Sequence, residues 1–145
     1  MKTFLAYWFP VILYGAVIFV QSSHSAPNII PSFPLADKMI HVLVFSGMGA
    51  LWVRAFAYHL PPRVKGKRAL FLGIIFAVCY GALDEWHQSF VADRDADLWD
   101  VLADTLGSIG GGYLYWFFGL YFLSMASNNW TTKPLKKHFY PKRPF

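Results

Sequence analysis

Three short polar blocks interrupt a largely apolar sequence, and each has helical spacing. In DKMIH, Asp37 and His41 are four residues apart and share a helix face, with Phe45 one turn further along. In DEWHQ, Asp84, His87 and Gln88 fall at i, i+3 and i+4, again one face, while Glu85 points to an adjacent one. In RDADLWDVLADTLGSIGG, Asp97, Asp100, Asp104, Gly107 and Gly111 follow steps of 3, 4, 3 and 4, a single stripe of three carboxylates and two glycines. Imidazoles with carboxylates are the donors of divalent-metal sites. His41, Asp84, His87 and Asp104 could supply two nitrogens and two oxygens, with Glu85 as a base and Arg94 holding a phosphate. A second chemistry breaks no bond: Arg94 as a planar fork and Lys38 as a point charge would recognise an anionic head group.

Plainer roles compete for the same residues. Carboxylates in the first turns of a helix complement its dipole. Asp93 and Asp95 suit a solvated turn, His24 and His138 solvated segments, and His59 an ordinary interface. Ser46 and Ser108 lie in apolar runs without a nucleophile motif and read as backbone-bonded packing residues. Cys79, the single cysteine, reads as a buried small hydrophobe. The two glycines suit close helix contact, as small-xxx-small faces do in membranes. Asp84 and Asp104 are harder to assign to solvent. Each follows an apolar stretch, and a carboxylate at membrane depth costs several kcal/mol unless it is paired.

The elements that must position these groups are apolar helices. The composition is 56% hydrophobic, 19% aromatic and 14% charged, against about 25% charged in a soluble domain. Uncharged runs cover Phe4 to Val20, Met39 to Val53, Ala69 to Leu83 and Thr105 to Asn129. A bilayer core takes about 20 helical residues, so the second and third runs span only if they include their polar ends. The expected fold is all-α, an integral membrane four-helix bundle over residues 1–126, with spans near 4–22, 37–58, 69–89 and 97–126. A basic cytoplasmic tail, 127–145, follows. Pro61 and Pro62 stop the second helix, and Pro10 sits within the first, where a neighbouring helix can re-satisfy the carbonyl it frees.

Charge sets the expected orientation. The 54–68 loop carries Arg54, Arg63, Lys65, Lys67 and Arg68 with no acid, and the tail is likewise basic. Short basic loops stay cytoplasmic, which puts both termini inside, in the cell membrane, and the acidic loops outside. The 17-residue apolar run of the first helix is long for a signal-peptide core. The net charge of +5 therefore reflects insertion topology and contact with anionic lipid rather than nucleic acid. On the acidic side, eight acids face two bases, Lys38 and Arg94. That imbalance calls for protonation, solvent or a bound cation, and Arg94 is expected to turn inward and pair with a buried carboxylate such as Asp84 or Asp100.

The three blocks, in this order and spacing, resemble the VanZ-like family of small bacterial membrane proteins. The resemblance runs from about Asp37 to Gly111. It implies characteristic polar positions at Asp37, Lys38 and His41, at Asp84, Glu85 and Gln88, and at Arg94, Asp100 and Asp104. Many relatives carry Asn in place of Asp104, and Pro-Gly in place of Ala92-Asp93. The founding member is associated with low-level teicoplanin resistance, which implies a role in the bacterial cell envelope but no defined reaction. The leading expectation is a protein that binds or modifies an envelope lipid or cell-wall intermediate, with membrane lipids as partners and no nucleic acid. The alternatives are a metal-assisted hydrolase or transferase acting on a lipid-linked substrate, and a small transporter or proton relay. The sequence calls for no organic cofactor; a divalent cation is the one group these residues suit. It leaves open whether there is catalysis, and the oligomeric state.

Overall fold

The structure, a computed structural model, describes residues 2–24, 34–61 and 65–126. The tail at 127–145, including His138, lies outside the described residues. The chain forms an all-α bundle of four helices: α1 (Lys2–Ser22), α2 (Ala36–His59), α3 (Lys65–Gln88) and α4 (Leu98–Ala126). Each boundary has a local cause. Leu60, held extended (φ −72°, ψ 144°) by the following Pro61, ends α2. Between α3 and α4 the Arg94 amide donates to the Val91 carbonyl at 3.3 Å. Asp93, third in that turn, has φ 59°. In a type II turn this third position has positive φ and favours glycine. Aspartate is among the few other residues that tolerate it.

Pro10 lies within α1. It cannot donate to the carbonyl four residues back, Ala6. The Arg54 guanidinium reaches across from α2 and donates to that oxygen at 3.3 Å, while sitting 4.6 Å over the Tyr7 ring. At the same end the Trp8 indole donates to His59 at 2.9 Å. Further along, the Tyr14 hydroxyl donates to the Val44 carbonyl and the Tyr80 hydroxyl to the Gly15 carbonyl. Phe45, Met48, Ile18 and Ala77 form the buried core beneath them.

The burial pattern is that of a membrane protein. Leu13, Val17, Leu43, Phe71, Leu83, Leu114 and Phe117 are exposed, whereas Asp84, Glu85, Gln88, Asp104 and Ser108 are buried. Water as the surrounding solvent would favour the reverse; lipid favours this arrangement. Among the described residues, α1, α2 and α3 contain stretches long and apolar enough to cross a membrane. α4 is longer, at 29 residues, but its first half carries Asp100, Asp104 and a run of glycines. Cys79, expected to be buried, is exposed on the apolar outer face of α3.

α2 and α4 run side by side in the same direction, and small residues set their separation. A Cβ added to Gly107 would overlap the backbone at Val42, one on Gly111 the Ser46 carbonyl, and one on Gly49 the Ser108 backbone. The two backbones are therefore in direct contact along this seam, as small residues permit between membrane helices. The seam fixes the register that brings the first turns of α2 beside those of α4.

Candidate functional site

That register stacks two ladders of side chains. Lys38, on the first turn of α2, sits among Asp97 at 2.5 Å, Asp100 at 2.7 Å and its own neighbour Asp37 at 3.2 Å. One turn deeper, His41 Nδ1 lies 2.9 Å from Asp104 Oδ1, and its Nε2 lies 4.0 Å from Asp100 Oδ2. Asp104 is 1% exposed although two turns inside α4, because α3 closes over it. Gly81 makes this closure possible: a Cβ there would press on the Asp104 carboxyl group and on the Phe45 ring. Nothing in the expected motifs marked Gly81. Its sequence signal is its position, three residues before Asp84 on the same stripe.

α3 contributes the second set. Gln88 donates its amide to Asp84 Oδ2 at 3.2 Å and to Glu85 Oε1 at 3.0 Å. The Ser22 hydroxyl of α1 donates to the same Asp84 oxygen at 2.7 Å, and the Asp97 amide donates to Glu85 Oε2 at 3.1 Å. The inward arc of α3 is thus Gly81, Asp84, Glu85 and Gln88. Glu85, expected on an adjacent face, belongs to the cluster and is 3% exposed. His87 does not. At about 100° per residue it falls well off the centre of that arc. Its ring instead stacks on Phe19 at 4.6 Å and pairs with Ser23 at 3.0 Å. The metal-ligating set expected from the sequence, His41, Asp84, His87 and Asp104, is therefore not the one brought together. The ligand atoms of His41, Glu85 and Asp104 lie within 4.8 Å of one another.

Arg94 turns inward, but to neutral acceptors rather than to a carboxylate. It donates to the His24 carbonyl at 3.0 Å, to Gln88 Oε1 at 3.2 Å and to the Gln21 carbonyl at 3.5 Å. The reason is local. Gln88 spends its amide on Asp84 and Glu85, leaving its oxygen to accept, and the end of α1 offers carbonyls beyond its last full turn, at the negative pole of its dipole. The guanidinium thus caps α1 and reaches the acids only through Gln88. Ser108, expected to be bonded to backbone, is fully buried with no partner for its hydroxyl among the described residues. Ser46 does donate to backbone, at the Leu43 carbonyl.

Beside the cluster, between α1, α2 and α3, lies a cavity of about 460 Å³. Its deeper wall is apolar: Tyr14, Ile18, Val44 and Phe45. Its mouth is polar, with Asp37, His41 and Asp100 on one side and Asp84, Gln88 and Arg94 on the other. Val17 of α1 and Ile40 of α2 line it and are exposed, which opens it sideways between those helices. Lys38, bound to three carboxylates, is not part of its lining. Among the described cavity-lining residues, Arg94 is the one permanent cation, and it makes no ion pair there.

No curated protein and no solved structure matches the chain. A family model described as VanZ/LLP1 matches residues 3–119, a span that reaches into all four helices and contains the whole polar cluster; the chain belongs to the VanZ/LLP1 family.

Proposed function

We propose that this is a four-span cell-membrane protein, with both termini cytoplasmic, whose outer-face cavity holds an amphiphile of the envelope: a lipid or a lipid-linked cell-wall intermediate. The cavity carries the reading. Its volume of about 460 Å³ lies in the range of about 300–1,000 Å³ typical of ligand sites. It passes from an apolar wall to a polar mouth and opens toward lipid between Val17 and Ile40. An acyl chain entering from the bilayer would lie against Ile18, Val44 and Phe45, with its head at Arg94. A phosphate there would meet a guanidinium, and an amine on the same head would meet Asp37 or Asp100. The orientation rests on the basic 54–68 loop and tail.

The test is lipid retention. The purified chain should carry phospholipid through detergent exchange, read by native mass spectrometry. Val44→Trp, which fills the apolar wall, should release it without unfolding the protein. Retention equal to wild type in Val44→Trp would refute the cavity as the binding place. Reporter fusions after Lys65 and Phe145 should read cytoplasmic and one at Asp93 external; an external signal at Lys65 would overturn the orientation.

A further inference from the structure

We infer that His41, Glu85 and Asp104 form a binding site for a first-row divalent cation of the Zn²⁺ or Mn²⁺ class. The inference is independent of what occupies the neighbouring cavity. One imidazole and two carboxylates, from three different helices, place ligand atoms within 4.8 Å of one another. Metal–ligand bonds of about 2.0–2.2 Å at a tetrahedral ion put donors about 3.3–3.6 Å apart, so the three ligand atoms need to draw together by at most about 1.5 Å. The donor set selects the metal class. Ca²⁺ and Mg²⁺ favour all-oxygen shells, whereas an imidazole with carboxylates suits Zn²⁺ or Mn²⁺.

A second observation comes from atoms left over after the hydrogen bonds are drawn. Asp104, 1% exposed, gives one oxygen to His41, and its Oδ2 has no partner among the described residues. Asp84, 5% exposed and next to Glu85, accepts two donors at Oδ2 and likewise leaves Oδ1 without one. Buried carboxylate oxygens are costly to leave unsatisfied, the more so in a membrane.

The charge distribution agrees. Of the two bases on this side, Lys38 is held by Asp37, Asp97 and Asp100, and Arg94 by carbonyls and Gln88. Asp84, Glu85 and Asp104 are buried, and apart from His41 their hydrogen bonds come from neutral donors: Ser22, Gln88 and the Asp97 amide. A dication would balance the charge of two carboxylates and accept the neutral imidazole. Three protein donors also leave a coordination position open. Gly81 provides room, since a Cβ there would press on the Asp104 carboxyl group.

The test uses the full chain in detergent, stripped with chelator and titrated with Zn²⁺, Co²⁺ or Ca²⁺. One equivalent of Zn²⁺ or Co²⁺ per chain should survive gel filtration, by elemental analysis. Bound Co²⁺ should show visible d–d bands. Metal at a hundredfold excess over its Kd should stabilise the folded state about a hundredfold, seen as a raised Tm. Glu85→Gln and Asp104→Asn should abolish retention and the metal-induced shift, while their metal-free Tm stays level or rises because like charges are relieved. Asp95→Asn, an exposed acid outside the cluster, should leave retention unchanged. No saturable uptake by wild type would overturn the site. So would Ca²⁺ retention equal to that of Zn²⁺, or full retention in Glu85→Gln. If Glu85→Gln does not fold, the wild-type Co²⁺ spectrum decides alone, and absent d–d bands refute the proposal.

Discussion

His41 Nδ1 lies 2.9 Å from Asp104 Oδ1, a bond that joins α2 to α4 two turns inside the bundle. An amide oxygen can accept from the same ring nitrogen. Asp104→Asn should therefore stay within about 1 kcal/mol of wild type when metal-free, whereas Asp104→Ala, which strands the His41 donor, should lose about 1–3 kcal/mol. Unfolding in mixed detergent micelles measures both. An equal loss in the two variants would mean that the charge, not the hydrogen bond, stabilises this contact.

The helix seam gives a comparison between neighbours. Gly111 lies against the Ser46 carbonyl, while a Cβ at Gly110 would meet nothing within 4 Å. Gly111→Ala should destabilise by about 1–3 kcal/mol through overpacking against backbone. Gly110→Ala should be neutral or stabilising by up to about 1 kcal/mol, from helix propensity. Thermal melts of the two variants in one detergent suffice. A tolerated Gly111→Ala would show that α2 and α4 are not in backbone contact.

Arg94 holds neutral acceptors, so its removal strands no buried charge. Arg94→Ala should cost about 1.5–3 kcal/mol, the range for hydrogen bonds to a charged group, rather than the larger loss from breaking a buried ion pair. Because the contacts fasten the α3–α4 turn to the end of α1, hydrogen exchange should rise first at Val20 to Ser23 and at Gln88 to Asp93. Unchanged exchange in these two segments would show that the contacts at His24, Gln88 and Gln21 do not hold the turn.

Arg54 and Pro10 should be energetically coupled. Arg54→Met strips the donor from the Ala6 carbonyl that Pro10 leaves free. With Pro10→Ala in place, the helix can satisfy that oxygen itself, and Arg54→Met should cost about 1 kcal/mol less. The Tyr7 stacking is lost on both sides of the cycle and cancels. Strict additivity would mean that the guanidinium does not serve that carbonyl.

Much of this was legible in the sequence because lipid constrains so strongly. Uncharged runs and prolines located the helices, and the spacing of Asp97, Asp100, Asp104, Gly107 and Gly111 gave the inward face of α4. The error on α3 has a definite origin. Asp84 and Gln88 belong both to the stripe containing His87 and to the stripe containing Gly81 and Glu85, and spacing alone does not choose between them. The deciding fact is the volume of Asp104 pressing on α3, a contact between helices. The partners of Arg94 are hidden from the sequence for a related reason. Counting charges identified its likeliest partners as acids, but the carbonyls at the end of α1 and the free oxygen of Gln88 are invisible to a charge count.

The parallel course of α2 and α4 has a consequence for how the molecule is made. Two helices pointing the same way cannot be joined by a hairpin, so the chain must cross back as α3 before their seam can close. His41 waits through roughly sixty residues of synthesis for Asp104 to arrive. Until α4 packs, Lys38 has only Asp37 of its three carboxylates, and Glu85 lacks the Asp97 amide. A chain ending after α3 would thus leave these ionisable groups without those partners, and the last helix to pack is the one that conceals them.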